Sequence, residues 1–426
     1  MPGRSAVTAM VVGSMVGAGV FSLPRRFAQE TDVAGALIAW AVAGLGMLML
    51  AFVFRTLAVR RPDLGAGVYA YAKAGFGEYL GFFSAFGYWA SACVGNVTYW
   101  VLIMSTLGAV APALGDGDTV LAIVLSSVGL WCFFLLIRRE VKEATAINRI
   151  VTVAKLVPII VFVVLALFYL DPSVFADNFG GADYAGSLFN QVRGTMLATV
   201  FVFLGVFAIF ASVTIVSYGI LPMNEIAELR QPSMAGVLEA AVGTWGKAFV
   251  SVGLIVSVLG AYLAWTLMAA EVLFVAAKDK DMPRFLGRSS GDDVPVPALL
   301  MTTSLNQIVL VVTAFSDDAF NFALGLTSAL SLIPFLLAAA FAVKIALRPQ
   351  AEQAAGRGTR RELVVAVVAT LYTAFLLYAP ATFLFVKARR EQNRRLFSPV
   401  EAVICAVFVV RAVIGVVALA AGWIEL

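Results

Sequence analysis

The chain has 426 residues, of which 61% are hydrophobic and only 13% are charged, and its mean hydropathy is +0.94. A soluble domain carries roughly 25% charged residues, so this composition excludes a water-soluble globular protein. The net charge of +4 does not indicate nucleic-acid binding, because the Lys and Arg residues lie in short loops between apolar runs, as the positive-inside rule predicts. The absence of histidine excludes a His-based triad, zinc site or haem ligand, and three Cys at unrelated spacings favour neither a disulfide framework nor a metal site.

Apolar runs of membrane-spanning length recur along the whole chain. Eleven runs are predicted to be transmembrane helices: 6–24, 34–58, 79–112, 119–137, 150–170, 192–221, 240–277, 297–315, 322–346, 362–386 and 401–424. No soluble domain interrupts them, so the sequence predicts one all-α transmembrane domain over residues 1–426. Nothing at the start indicates a cleavable signal peptide.

Loop charges predict the orientation of these helices. The loops 55–78 and 138–149 are basic, which places them in the cytoplasm. The loops 113–118 and 171–191 carry Asp, which suits the outside. Through five spans the signs alternate, and they predict a multi-pass protein of the plasma (inner) membrane with a cytoplasmic N-terminus.

The charge pattern fails at two later runs. If 192–221 crosses once, the later loops have the wrong sign, whereas they fit if this run leaves the outer face and returns to it. The run 362–386 has basic residues on both sides and also needs an even number of crossings. Two spans need ~40 apolar residues, which neither run has. Either these helices are re-entrant or strongly kinked, with the broken backbone buried in protein, or about one helix pair of sequence is absent at each place.

The first run is unusually rich in glycine. Gly13, Gly17 and Gly19 weaken a helix near mid-membrane, since each costs about 1 kcal/mol relative to alanine. A broken helix leaves N–H and C=O groups to bind the carboxylate and ammonium of a substrate, and the helix dipole favours the carboxylate. The alternative is that Gly13 and Gly17 form a G-x-x-x-G packing face.

Polar residues inside apolar runs are costly and commonly functional. Lys155 and Glu271 each have two interpretations: a coupling residue on the substrate path, or a side chain near the cytoplasmic end that reaches the membrane surface. Asn96, with Tyr99 and Trp100 nearby, is either a substrate ligand or a hydrogen bonder between helices.

Residues 13–24, the polar and aromatic third run and residues 232–239 together resemble the amino acid–polyamine–organocation superfamily. Residues 260–271 and 277–283 are similar to its basic amino acid antiporters, in particular the arginine/ornithine exchangers. The resemblance implies a helix bundle of the leucine-transporter type, with inverted repeats and broken first and sixth helices.

The resemblance also implies roles for individual residues. In the first run it implies that the backbone binds the α-carboxylate and α-amino groups of the substrate at Gly13, Ser14, Met15, Gly17, Ala18 and Gly19. Asn96 would line the pocket, and Trp265 would pack on the aliphatic or cationic side chain of the substrate. Lys155 would match a lysine that replaces a sodium ion in some sodium-independent members. Phe203 and Gly205 would belong to the sixth-helix part of the site.

The sequence departs from the family at two places. The family's Phe-x-Gly-x-Glu-Gly motif is cut short, because Val206 is followed directly by Phe207-Ala208-Ile209. Residues 372–378 likewise reach Ala379-Pro380-Ala381 without the expected hairpin between two late helices. We therefore predict internal gaps near 206/207 and 378/380, at the same places where the charge pattern fails.

The leading functional prediction is a secondary-active transporter that exchanges cationic amino acids such as arginine and ornithine by alternating access. It needs no cofactor, and no P-loop motif is present. The alternatives are a proton-coupled symporter of neutral amino acids, with Lys155 or Glu271 carrying the proton, and a truncated relative that does not transport. An enzyme is not expected, because His is absent and intramembrane carboxylates are few. The predicted partners are an amino acid and the bilayer, with a homodimer by analogy only.

Overall fold

The computed structural model describes residues 19–64, 68–139, 144–179, 204–280, 282–289, 295–315, 319–347 and 358–391. For 144–155, 204–209, 319, 322, 358–359 and 377–391 within these ranges, the description covers the backbone alone. All regular secondary structure in the described ranges is helical, which confirms the predicted all-α class.

Fourteen α-helices lie in the described ranges and are numbered here in chain order. They are α1 (Gly19–Glu30), α2 (Val33–Arg60), α3 (Val68–Phe76), α4 (Glu78–Gly108), α5 (Val120–Arg139), α6 (Ala144–Phe168), α7 (Pro172–Asp177), α8 (Leu204–Ser217), α9 (Met223–Glu228), α10 (Ser233–Val242), α11 (Thr244–Lys278), α12 (Val296–Thr313), α13 (Ala319–Leu347) and α14 (Gly358–Glu391). Short 3-10 helices cover Pro112–Leu114 and Arg284–Gly287.

Six helical segments of the described chain are long and apolar enough to cross a membrane: α2, α4, α5, α11, α12 and Ala323–Leu347 of α13. Each corresponds to a predicted run, with ends that differ by at most four residues, and the chain is therefore a multi-pass membrane protein. The predicted run 240–277 differs in detail, because Gly243 separates α10 from α11. Gly243 has a φ of 85°, a conformation that residues with a side chain rarely adopt, so the two helices change direction there.

The described residues form two compact units. Unit one is built from the described parts of Met1–Gly44 and Trp89–Ser328. Unit two is built from those of Leu45–Tyr88 and Ala329–Leu426. In unit one, the long helix α11 packs against α6, α10 and α12, and α1 packs against α9 and α10.

One end of unit one is held together by side chains that bond to the backbone. The buried Asn178 donates from Nδ2 to the carbonyl oxygens of Tyr218 (2.7 Å) and Leu221 (3.0 Å), and its Oδ1 accepts from the Met223 N–H (2.9 Å). The Tyr218 hydroxyl donates to the Thr31 carbonyl (2.8 Å). The turns after α1, α7 and α8 therefore meet at this end, which we name the Asn178 end.

The loop after α4 reaches the same end. The Arg230 Nε lies 2.8 Å from Asp116 Oδ1, and the Arg230 guanidinium also donates to the Gly115 carbonyl. Arg230 follows α9, which begins at the Asn178 end. The loops 113–118 and 222–239 thus meet on one face, which agrees with the alternative that run 192–221 returns to the face it left. From Leu204 onward α8 has 14 residues, or about 21 Å at 1.5 Å per residue, against a hydrocarbon core of roughly 30 Å.

The backbone is helical and uninterrupted at both predicted gaps. The helix α8 passes through Val206 and Phe207, and the 34-residue α14 passes through 378–380. A re-entrant path is therefore wrong for run 362–386, because Arg360 and Lys387 lie at opposite ends of one helix. The charge imbalance across that helix remains.

Exposed aromatic residues mark the Asn178 end as a membrane boundary. Phe168 and Tyr169 lie at the end of α6, Trp245 lies at the start of α11, and Phe315 follows α12. Each of these four residues is more than half exposed. Aromatic side chains collect at the level of the lipid headgroups, where one part of the ring system is apolar and the other is hydrated.

In unit two, alanine-rich parts of α13 pack closely against α2 and α3. Ala338, Ala339 and Phe341 are buried, and the rings of Tyr71 and Phe341 stack with centroids 6.3 Å apart. Lys344 Nζ donates to the Gly75 carbonyl at the end of α3 (2.7 Å). This bond ties the last turn of α13 to the C-terminal end of α3.

Candidate functional site

The predicted site residues are distributed unevenly over the described structure. Gly13, Ser14, Met15, Gly17, Ala18 and Phe203 lie outside the described residues. Gly19 is the first residue of α1, Gly205 lies in α8, and Lys155 lies in α6, where the description stops at the backbone for the last two. Asn96, Trp265 and Glu271 are described in full.

Asn96 is fully buried on α4 and is only half satisfied. Its Nδ2 donates to the hydroxyl of Thr266 on α11 (3.1 Å), and Thr266 is itself buried. The Asn96 Oδ1 atom has no hydrogen-bond partner among the described residues. An unpaired buried acceptor costs about 1–3 kcal/mol, so such an atom calls for a specific explanation. The Asn96 amide therefore forms a hydrogen bond between helices, which is one of its two predicted roles. Its Oδ1 atom remains available as an acceptor, which the other predicted role, that of a substrate ligand, requires.

A stripe of α4 positions this amide. Trp89, Cys93, Asn96 and Trp100 are spaced by four, three and four residues and are all buried, so they share one face of the helix. Close to them, Gly95 allows α13 to approach, since a Cβ there would lie 3.3 Å from Thr327.

Two residues of α12 complete the polar layer and were not predicted from the sequence. The Trp89 indole N–H donates to the Thr302 hydroxyl (3.0 Å). With the Asn306 amide turned so that its nitrogen donates, that nitrogen lies 3.2 Å from the Cys93 carbonyl and 3.0 Å from the Thr302 carbonyl. An asparagine inside the apolar run 297–315 was a visible signal, because polar side chains in membrane helices commonly bond to other helices.

An aromatic wall stands beside the amide. Tyr262 lies one helical turn before Thr266 on α11, so the two share a face. Its ring meets Trp100 at 5.4 Å and Phe133 at 5.2 Å, both edge to face, a favoured geometry for aromatic pairs. Trp100 packs directly over Gly129 of α5, where a Cβ would overlap its ring.

The other two fully described site residues, Trp265 and Glu271, form no described contact with the Asn96 amide. Trp265 is partly buried and packs against the core of unit one, next to Thr266 in sequence. Glu271 is exposed, and five residues separate it from Thr266, which places it on a different side of α11.

The arrangement is suited to binding a hydrogen-bond donor or a cation. It presents a buried acceptor oxygen beside large aromatic rings, and both the oxygen and the faces of such rings attract N–H donors and cations. In the described ranges, no group of three or more His, Cys, Asp or Glu side chains is placed to hold a metal ion.

Comparison with known proteins decides the family. The family model described as amino acid permease matches residues 3–206 and 190–418. The chain belongs to the amino acid permease family. This permease is 42% identical to an arginine/ornithine antiporter of Pseudomonas aeruginosa, over 99% of the chain and 98% of the relative. It is 33% identical to an L-lysine transport protein of Corynebacterium glutamicum (98% and 95%) and 32% identical to an arginine/ornithine antiporter of Latilactobacillus sakei (97% and 96%).

The alignments of this permease with its relatives are longer than the chain itself. They extend over 470, 475 and 460 positions, against 426 residues in the chain. At least 44 positions of the first alignment (470 against 426) therefore have no residue of this chain. The family match is also divided into two parts, and the first part ends at Val206.

Proposed function

We propose that this permease exchanges cationic amino acids, with arginine and ornithine as the substrate pair, by alternating access. The observation that carries the proposal is the fully buried and unpaired Asn96 Oδ1 beside the aromatic wall. An ammonium or guanidinium N–H group supplies the donor that this atom lacks, and a hydrogen bond to a charged group contributes about 1.5–3 kcal/mol. The names of the relatives support the same substrate class, since they specify arginine, ornithine or lysine.

The remaining contacts of the substrate follow from the same proposal. The backbone of residues 13–19 binds the α-carboxylate and α-amino groups, and Trp265 packs on the side chain of the substrate. Asn96 then meets the cationic end. Lys155 serves as a fixed positive charge in place of a sodium ion. The chain acts in transport and not in catalysis.

We also propose that the chain lacks two segments which its relatives possess, near 206/207 and 378/380. Three observations support this: the surplus of alignment positions, the end of the first family match at Val206, and the failure of the loop charges at both places. The first segment would carry the Glu-Gly part of the sixth-helix motif. Its absence favours the second candidate function, a relative that binds substrate without moving it.

Exchange in proteoliposomes tests these two functions against each other. Vesicles are loaded with unlabelled arginine and mixed with labelled arginine, and ornithine, lysine and leucine are added as competitors. We expect saturable uptake that requires internal substrate and is blocked by ornithine and lysine but not by leucine. The Asn96→Leu variant lacks the proposed acceptor for the substrate. Purified as a monodisperse protein and reconstituted in the same way, it should lose this uptake.

Other outcomes of the same experiment have defined meanings. Uptake that needs no internal substrate but follows a proton gradient would replace exchange with symport. No uptake by folded protein, together with arginine binding in detergent, would identify a non-transporting relative. In that case, insertion of the segment from the P. aeruginosa antiporter between Val206 and Phe207 should restore exchange.

We further propose that the permease lies in the plasma membrane with its N-terminus in the cytoplasm and the Asn178 end outside. The acidic loops 113–118 and 171–191 support this orientation. In intact cells, a membrane-impermeant maleimide should label Ala113→Cys above the background of the parent. Ser289→Cys, exposed beyond the opposite end of α11, should react only after permeabilisation. The reverse pattern would overturn the orientation.

A further inference from the structure

The acceptor that Asn96 offers to a substrate exists in only one orientation of its amide. With Nδ2 on the Thr266 hydroxyl oxygen (3.1 Å), Oδ1 is left without a partner among the described residues. With the amide reversed, Oδ1 would accept the Thr266 hydroxyl proton, and the N–H₂ group would lie open instead. The orientation of the amide therefore depends on whether Thr266 donates its proton to Asn96 or to another group.

The Thr266 hydroxyl has a second side-chain neighbour and no acceptor in its own helix. Helical threonines commonly donate to the carbonyl four residues earlier, as Thr302 does to Ala298 (2.9 Å). Thr266 forms no such bond among the described residues, and its polar contacts are with Asn96 and with the Tyr262 hydroxyl. The proton of Thr266 is therefore available to Tyr262.

The Tyr262 hydroxyl donates onward to Asn306 on α12. The Asn306 nitrogen lies 3.2 Å from the Cys93 carbonyl and 3.0 Å from the Thr302 carbonyl. In that orientation the Asn306 Oδ1 faces hydrogen-bond donors, and Tyr262 is the side chain that bonds to this amide. The Trp100 indole also lies near the Tyr262 hydroxyl, but it can only donate and cannot accept the proton.

These four side chains form a hydrogen-bond chain that is closed off from water. Asn96 and Asn306 have no exposed surface, and Tyr262 and Thr266 are each 1% exposed. A hydroxyl can donate in either direction along such a chain, whereas the backbone carbonyls that accept from Asn306 can only accept. Hydrogen bonds in a buried chain also polarise one another, so a direction fixed at one end extends to the other. The fixed end is at Asn306.

We propose that Asn306 is a positioning residue that keeps the Asn96 acceptor open to the cationic end of the substrate. It acts through the hydroxyls of Tyr262 and Thr266, three hydrogen bonds away from Asn96. The inference rests on the proposed function, in which Asn96 Oδ1 meets that cationic end. Without Asn306 the chain can run in either direction, and the amide then presents its oxygen in about half of the molecules.

Equilibrium binding to the purified full-length protein in detergent tests the proposal without requiring transport. Lysine and norleucine compete against labelled arginine, and norleucine has the carbon chain of lysine without the ammonium group. Asn306→Leu removes the acceptor at nearly constant shape, and Tyr262→Phe removes one hydroxyl. Each should lower the affinity for lysine about twofold and leave the affinity for norleucine unchanged. The double variant should also show about twofold instead of fourfold, because both residues act in one chain.

Gln307→Leu is the matched control, since Gln307 is the adjacent amide on α12. Its Oε1 accepts from the Trp131 indole (3.2 Å), and its Nε2 donates to the Ser127 hydroxyl (2.9 Å). Both partners lie on α5, outside the hydrogen-bond chain. Gln307→Leu should lower the melting temperature, as Asn306→Leu does, but it should leave the ratio of lysine to norleucine affinity at the parent value.

Four results would contradict the proposal. An unchanged ratio in Asn306→Leu and Tyr262→Phe would limit Asn306 to a structural role, and Tyr262→Phe alone decides this if Asn306→Leu does not fold. An equal change of ratio in Gln307→Leu would reduce the effect to a general disturbance of α12. A fourfold fall in the double variant would show two independent contributions. A parent protein that binds lysine no better than norleucine would refute the proposed function itself, and this inference with it.

Discussion

Replacement of Thr266 by valine tests whether the open acceptor of Asn96 selects cationic substrates. Valine has nearly the shape of threonine and lacks the hydroxyl oxygen that accepts the bond from Asn96 Nδ2 (3.1 Å). In the variant the amide has no partner to fix which of its two ends faces the substrate. The amide can then turn its N–H₂ group, which repels a cation, toward the position that Oδ1 held.

The magnitude follows from one buried hydrogen bond. Its loss strands the Asn96 donor in a fully buried position, which should lower the free energy of unfolding by about 1–3 kcal/mol. The bond, worth about 1 kcal/mol, holds the amide in one orientation, and without it the two orientations are about equally populated, so the affinity for lysine should fall by about twofold. The affinity for norleucine, which has the same chain without the ammonium group, should not fall.

The assay is competition by lysine and by norleucine against labelled arginine, on parent and variant reconstituted in parallel. Thr303→Val is the matched control, because Thr303 is an equally buried threonine on α12 whose hydroxyl has no partner among the described residues. It should leave the ratio of lysine to norleucine affinity unchanged and should not reduce stability. If Thr266→Val loses stability but keeps the parent ratio, the Asn96–Thr266 bond is structural only, and the selectivity argument is refuted.

Two further substitutions test the packing of unit one by thermal or denaturant unfolding in detergent. Asn178→Ala removes three hydrogen bonds to the backbone and should lower the free energy of unfolding by about 2–4 kcal/mol. The control Asp177→Ala changes the exposed neighbouring residue and should alter the free energy of unfolding by less than about 0.5 kcal/mol. Equal effects of the two variants would contradict the structural role of the Asn178 amide. Gly129→Ala adds a Cβ that overlaps the Trp100 ring and should cost about 1–3 kcal/mol. Gly325→Ala, with no atom within 4 Å of the new Cβ, should stabilise by up to about 1 kcal/mol, and a Gly129→Ala protein as stable as this control would show that Trp100 is not held there.

Hydropathy predicted the long helices of this permease well, because a span of the bilayer requires a minimum apolar length whatever else the chain does. Hydropathy predicted a single run, 240–277, where the structure has the end of α10 and the whole of α11. Gly243, at positive φ, changes the direction of the chain there without making the sequence more polar. Loop charges left two alternatives for run 192–221, a return to the face it left or the absence of about one helix pair. The Arg230–Asp116 pair agrees with a loop 222–239 on the same face as the loop 113–118. The re-entrant path for run 362–386 was wrong, as α14 is one helix.

The site was predictable only in part. Asn96 was recognised because an amide in an apolar run is conspicuous. Its bond to Thr266 joins two helices, and its role as a substrate ligand stays a prediction. Thr266 was not recognised, because threonine is common in membrane helices and only the packing of α4 on α11 gives it a partner. Tyr262 was missed for the same reason, as its role depends on the rings of Trp100 and Phe133 from other helices.

The hydrogen bonds of Asn178 go to main-chain atoms, and so does the bond of the Tyr218 hydroxyl. A main-chain carbonyl or N–H is the same in nearly every residue type, so most positions of the turn 218–223 can change in evolution without loss of these contacts. Divergence should therefore be slow at Asn178 and Tyr218 and fast at the residues they hold. Homologous sequences from closely related organisms would show this as two constant positions beside a variable outer turn.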